Sequence, residues 1–214
     1  MVSYPTLTVQ RRLAEKVFVL EVIRDLDEAI DLLCAELGDT ADPFAEDLCP
    51  YFGILWPAAE ALATHLAENP ELVLGKDVLE LGCGLGFPAM VASHLGGRVL
   101  ATDFHPDVEF YFQRNCRHSS QQIAYRRFNW REGAEDVGLF DVVMGSDILY
   151  ESKHAHEVVE GLTRFLRPGG VILLADPGRA YLGKFLEGMK SAGFEGKMGP
   201  GTGAQVHTFR RSST

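Results

Sequence analysis

From Asp77 onward, apolar and polar positions along the chain fall into blocks of two alternating kinds. The runs "DVLEL", "RVLATD", "IAYRRF", "FDVVMG" and "GVILLAD" are short, and several are apolar throughout. That is the pattern of strands covered on both sheet faces, where no position meets water. Between them the spacing turns helical. Pro88 to Leu95 stops at Gly96 and Gly97, and Pro106 to Cys116 opens on a residue suited to a first helical turn. Val158, Leu162, Phe165 and Leu166 set an apolar stripe ahead of "RPGG", and a further helix is expected from Tyr181 to Ala192. Strands and helices in this alternation specify an α/β, doubly wound, mostly parallel sheet. The late segment "GFEGKMGPGTGAQVHTFRR" reads as two short strands around a glycine-rich turn, hence an antiparallel edge hairpin.

The start of the chain follows a different pattern. "LTVQRRLAEKVFVLEVI" alternates like a hairpin, while Ile30, Leu33, Cys34 and Leu37 share one helical face, and "GDTADP" reads as a turn. We therefore expect a small hairpin and helix cap over residues 1–49, leading into a core unit over residues 50–214.

Composition narrows the function. With 214 residues, 46% of them hydrophobic, the chain suits one well-buried domain with appendages. A formal charge of −10 offers no basic face to a phosphate backbone, so no nucleic-acid partner is expected, whereas a cationic substrate fits. Cys34, Cys49, Cys83 and Cys116 form no C-x-x-C pair, which argues against a zinc site and a disulfide framework and favours a reducing, cytoplasmic compartment. No apolar stretch approaches the roughly 20 residues of a membrane span, and "MVSYPTLTVQRR" lacks a signal-peptide core. Neither membrane insertion nor export is expected.

The candidate chemistry begins at "VLELGCGLGF", where Gly82, Gly84 and Gly86 directly follow the first core strand. In doubly wound sheets, ligands bind beyond the carboxyl ends of strands near the switch point. A dinucleotide fingerprint needs a glycine where this chain has Phe87, so the spacing is E-x-G-x-G-x-G, beginning at Glu80. Asp103 ends the next strand, and its carboxylate offers two acceptor oxygens to a pair of ribose hydroxyls. A nucleoside with a small polar tail fits this pattern better than a pyrophosphate. Asp147 and Tyr150 follow the apolar strand "DVVMG", which brings them to the same sheet edge. Taken alone, Asp147 reads as the N-cap of the next helix.

In this order "LELGCGLG", "ATDF", "FNW" and "SDILYE" resemble the class I S-adenosylmethionine-dependent methyltransferases. "SDILYE" further resembles the Asp-x-x-Tyr branch that contains many protein-lysine methyltransferases. "CPYFGILWPAAEALATHL" and "LLADPGR" are similar to segments of the electron-transfer-flavoprotein lysine methyltransferase and its bacterial relatives. The resemblance runs from about Pro50 to Arg179. It implies a seven-stranded Rossmann-like sheet, S-adenosylmethionine without a metal, and as acceptor a protein lysine or, alternatively, a small amine. It also implies that Gly82, Gly84 and Gly86 let the backbone approach the methionine part, with Glu80 near its amino group and Asp103 on the ribose. Asn129 and Trp130 match the place beside adenine, although Asn129 stands where the family usually has Asp. Trp56 is placed beside the cofactor, and ordinary core packing ahead of Pro57 explains it equally well. Joined to these motifs, Asp147 is read as orienting the acceptor amine and Tyr150 as giving it an aromatic face or a hydroxyl.

Other residues carry less. His154 and His156 are two apart and face different ways on a helix, so they read as a solvated helix start rather than a metal pair. Cys83 reads as a small residue in a tight turn, Arg179 as lining either the cleft mouth or the surface, and His105 carries no functional reading. A nicotinamide oxidoreductase shares the architecture but lacks its third glycine here and an evident hydride-site acid or base. A non-catalytic nucleoside-binding module has no need of Glu80, Asp103 and Asp147 together.

Overall fold

The computed structural model describes residues 2–38, 48–130, 137–199 and 203–212. A hairpin of β1 (Thr6–Leu13) and β2 (Lys16–Ile23) leads to α1 (Leu26–Leu37). Asp25 caps that helix by accepting the Glu28 N–H at 2.9 Å, and Gly38, at φ +60°, ends it. The predicted turn "GDTADP" lies, beyond Gly38, outside the described residues. A short 3₁₀ turn at Tyr51–Gly53 precedes α2 (Pro57–Glu68), which starts on the proline as its sequence requires.

The core then alternates as expected: β3 (Asp77–Leu81), α3 (Phe87–His94), β4 (Arg98–Asp103), α4 (Val108–His118), β5 (Ala124–Arg127), β6 (Phe140–Ser146), α5 (His154–Arg164), β7 (Leu166–Asp176) and α6 (Leu182–Ser191). β8 (Phe194–Gly199) and β9 (Gln205–Arg211) close the sheet, in the order β5-β4-β3-β6-β7-β9-β8. Pairings among β3 to β7 are parallel, and β9 runs antiparallel to both β7 and β8. The stripe expected to end in Leu166 is shorter than its sequence implies. The helix stops at Arg164, and "LRPGG" already belongs to β7, whose register with β6 shifts between Phe140 and Val142.

Side-chain alternation sorts the core into two layers. Val78, Ala101, Val142, Met144 and Leu173 face α2, α3, α4 and the N-terminal hairpin. Leu79, Leu81, Val143, Ile172 and Leu174 face α5 and α6. The order of strands reverses between β3 and β6, so the loops after β3, β4 and β6 open at one edge of the sheet.

Candidate active site

At that edge lies a cleft of about 560 Å³. Its floor is the loop after β3, where Gly82, Gly84 and Gly86 all take left-handed backbone, at φ +66°, +49° and +79°. Side chains other than glycine's are strained there. Added carbons would also collide: at Gly82 with Ile148 Cγ2 (2.8 Å), at Gly84 with the Phe52 carbonyl oxygen (3.0 Å), and at Gly86 with the Phe112 ring (2.4 Å). The three glycines thus admit Ile148 of the acceptor side, the segment before α2, and α4, as well as lining the cleft. The Gly86 N–H donates to the Cys83 carbonyl at 2.7 Å and closes the turn.

Asp103 is buried at the end of β4, and its two oxygens take different amides of the site. Oδ2 accepts the Gly84 N–H at 3.0 Å, and Oδ1 accepts the His105 N–H at 3.1 Å. Burial raises its carboxyl above the usual range, and those amides pull in the opposite direction. Each oxygen keeps acceptor capacity for a further donor. Glu80 has no exposed surface and lies beneath the loop rather than on the cleft wall. Neither of its oxygens has a hydrogen-bond partner among the described residues. Burial pushes its carboxyl well up, and the Ala89 N–H in the first turn of α3 opposes this weakly, short of hydrogen-bonding geometry.

Trp130 is buried and forms one wall, close to Gly82 and Gly161. Asn129, its neighbour, is half-buried and is not on the cleft surface. Trp56 lines the cleft, and its indole N–H donates to the Tyr51 carbonyl at 2.9 Å, so it both packs and faces the cavity. His105, which carried no functional reading, also lines the cleft. Its Nδ1 accepts the Asp107 N–H at 3.1 Å and its Nε2 meets the Leu48 carbonyl at 3.0 Å, which ties residues 48–56 down over the glycine loop. The Phe52 ring packs against it, tilted, with centroids 4.5 Å apart.

The opposite wall follows β6. Asp147 does not cap a helix: α5 begins at His154, with Lys153 in the capping position. Asp147 instead takes left-handed backbone at φ +58°, a rare state for a residue other than glycine, and its N–H donates to the Ala175 carbonyl at 2.9 Å. Its carboxylate pairs with the Arg179 Nε at 2.5 Å, so Arg179 belongs to the cleft and not to the outer surface. Tyr150 stands at the mouth, 38% exposed, with its ring edge-on to His154 at 4.4 Å. The expected solvated helix start therefore holds for His156 alone, because His154 is fully buried. Its signal was legible: His154, Val158 and Leu162 fall at i, i+4 and i+8 on the apolar face of α5. The Cys83 thiol is pushed well up by burial, which makes it a poor nucleophile and agrees with a packing role. Among the described residues no group of His, Cys, Asp and Glu side chains could hold a metal ion, and no helix is long and apolar enough to cross a membrane.

Comparison with known proteins places this cleft in a family. The electron transfer flavoprotein beta subunit lysine methyltransferase of Xenopus laevis is 34% identical over 135 residues, covering 61% of this chain and 54% of that protein. The protein N-lysine methyltransferase METTL21A of Xenopus tropicalis is 28% identical over 57% of this chain and 59% of its own. The chain thus spans little more than half the length of these relatives. The fold matches the magnesium protoporphyrin IX methyltransferase of Synechocystis with a TM-score of 0.59, at 17% identity, over 86% of this chain and 91% of that one. The family profile described as lysine methyltransferase matches residues 50–192, which include every residue of the cleft except Cys49, and the chain belongs to that family.

Proposed function

We propose that this chain transfers a methyl group from S-adenosylmethionine to the side-chain amine of a lysine in a protein. The observation that carries the reading is the meeting, in one cleft, of the glycine loop and Asp103 with Asp147 and Tyr150 on the facing wall. The donor set suits a nucleoside with an amino-acid tail. Asp103 retains acceptor capacity for ribose hydroxyls, Trp130 offers a flat wall, and the buried Glu80 carboxyl, whose oxygens have no hydrogen-bond partner among the described residues, lies under the loop as the group to meet an amino group of the ligand. Asn129 acts on the adenine side through its neighbour Trp130, which lines the cleft.

S-adenosylmethionine, when bound, supplies a sulfonium methyl whose bond to sulfur breaks as the acceptor nitrogen's lone pair takes the carbon, leaving a neutral thioether. The protein has then to align, desolvate and hold the amine unprotonated. Alignment of two reactants is worth up to roughly 7–11 kcal/mol of barrier. The apolar wall from Phe52, Ile54, Leu55 and Ile148 disfavours an ammonium, whose ordinary lysine pKa is about 10.4. Asp147 accepts a hydrogen bond from the amine and sets its lone pair, and Tyr150 closes the mouth beside the incoming chain. The lysine ammonium gives up one proton to solvent at that mouth before attack, and the product leaves as the methylammonium, which keeps the other two nitrogen protons.

The test is incubation of the protein and its Asp147→Ala variant with radiolabelled S-adenosylmethionine and a cell lysate, followed by separation of large from small labelled species. The wild type labels lysine in the macromolecular fraction. The variant loses transfer by about 10²-fold or more while still binding S-adenosylhomocysteine. Label confined to small amines would overturn the protein acceptor, and full transfer by the variant would remove Asp147 from the site.

A further inference from the structure

Resting on the lysine reading above, the geometry points to Arg179 as a positioning residue that cancels the charge of Asp147 toward the acceptor amine. A carboxylate alone at this position works against the reaction, because it favours the ammonium form, which has no lone pair to give. The cleft has little else to remove a proton. His105 is the one imidazole that lines it among the described residues, and both its nitrogens are engaged, with the Asp107 N–H and the Leu48 carbonyl.

Arg179 and Asp147 are held together from both sides. The Asp147 side chain is 5% exposed and comes from a left-handed backbone anchored on Ala175, while the Arg179 side chain is 33% exposed. Arg179 is aimed by Asp176, which has no exposed surface and whose Oδ1 accepts the backbone N–H groups of Gly178 and Arg179, each at 2.7 Å. This is a built pair rather than two surface chains meeting by chance. Arg179 engages Oδ1 of Asp147, which leaves Oδ2 to accept from an amine. The carboxylate then orients the amine without its full charge pulling a proton onto it. The other titratable groups at this corner are Asp176, Tyr150, Glu151, which is taken by Lys153 at 2.7 Å, and the buried His154, which lies edge-on to Tyr150 at 4.4 Å and 3.8 Å from Glu151. Across the cleft stand Asp103, His105 and Tyr51.

The experiment compares wild type, R179Q and R179K in two readouts. The first is the pH dependence of tritium transfer from S-adenosylmethionine into lysate protein under saturating cofactor. In R179Q the midpoint moves up by about one pH unit, so transfer is down roughly tenfold below both midpoints and the deficit shrinks above them. R179K keeps a midpoint close to wild type. The second is calorimetric affinity for S-adenosylmethionine against S-adenosylhomocysteine, which needs no acceptor. Removing a cation beside the cleft favours the cationic ligand in R179Q, by roughly threefold to tenfold relative to the neutral one. A uniform loss of transfer with an unchanged pH midpoint and an unchanged affinity ratio makes Arg179 a structural residue and overturns the inference. Equal loss of both ligands in R179Q makes it a cofactor ligand and overturns it too. If wild type binds both ligands but labels no protein at any pH, the lysine reading fails, and the affinity ratio alone then decides whether Arg179 offsets Asp147.

Discussion

Glu80 carries a consequence for pH. Its side chain is fully buried with neither oxygen hydrogen-bonded among the described residues, and its carboxyl is pushed well above the ordinary value of 4.5. A raised folded-state value means that the native state binds the proton more tightly than the unfolded chain. That contribution to stability is fully present below 4.5 and is lost as pH rises toward the folded-state value. Asp103, also raised, has the same sign. The ligand-free protein is thus expected to lose thermal stability as pH climbs from the carboxylate range toward neutrality, and Glu80→Gln should flatten that slope. If Glu80 meets the amino group of the ligand, binding of S-adenosylhomocysteine should release a proton from it. Calorimetry in buffers of different ionisation enthalpy should show that release in the wild type and not in Glu80→Gln. At this scale the residue types were legible in sequence, but the pairing of Asp147 with Arg179 was not, because the partners lie on separate strand-end loops.

Among elements, the glycine loop and the strap over it decide how the cleft is shaped. Gly86 combines positive φ with a Phe112 ring atom 2.4 Å from where a Cβ would stand. Gly86→Ala is expected to cost about 2–5 kcal/mol, from backbone strain plus overpacking against α4, read as a lower thermal midpoint. The motif marks the glycine, and only the packing shows that its absent side chain makes room for a helix. His105 fixes residues 48–56 through the Leu48 carbonyl and Phe52. His105→Ala should weaken S-adenosylhomocysteine binding by roughly tenfold, as one buried hydrogen bond and a ring contact are lost, with a smaller effect on folding. An unchanged dissociation constant would show that the strap holds without it. In sequence this histidine sits two residues past Asp103 with nothing to distinguish it from His94 or His118.

Across the molecule, the N-terminal hairpin is tied to the back of the glycine loop. Asn115 on α4 accepts the Glu21 N–H at 2.7 Å and donates to the carbonyls of both Glu21 and Leu85 at 3.3 Å, all without solvent exposure of its side chain. Glu21 is further held by Thr6 at 2.9 Å and Arg114 at 2.7 Å. Asn115→Ala strands several buried polar groups and is expected to cost about 2–4 kcal/mol in urea unfolding. Because Leu85 belongs to the loop, the same variant should also bind S-adenosylhomocysteine more weakly. Stability loss with intact binding would separate the hairpin from the site.

The sequence by itself determined the alternating core, the antiparallel edge and the sheet edge that holds the site. Hydrophobic period and glycine spacing are local properties, and a right-handed α/β alternation leaves few ways to assemble them. It also brought Asp103, Asp147 and Tyr150 to one cleft, since the first ends β4 and the other two follow the end of β6. Only the tertiary structure decided that Glu80 is buried below the loop, that His105 pins the strap, and that Arg179 sits on Asp147. Those are contacts between segments far apart in the chain, and burial and charge pairing arise where such segments meet rather than from the order of residues within any one of them.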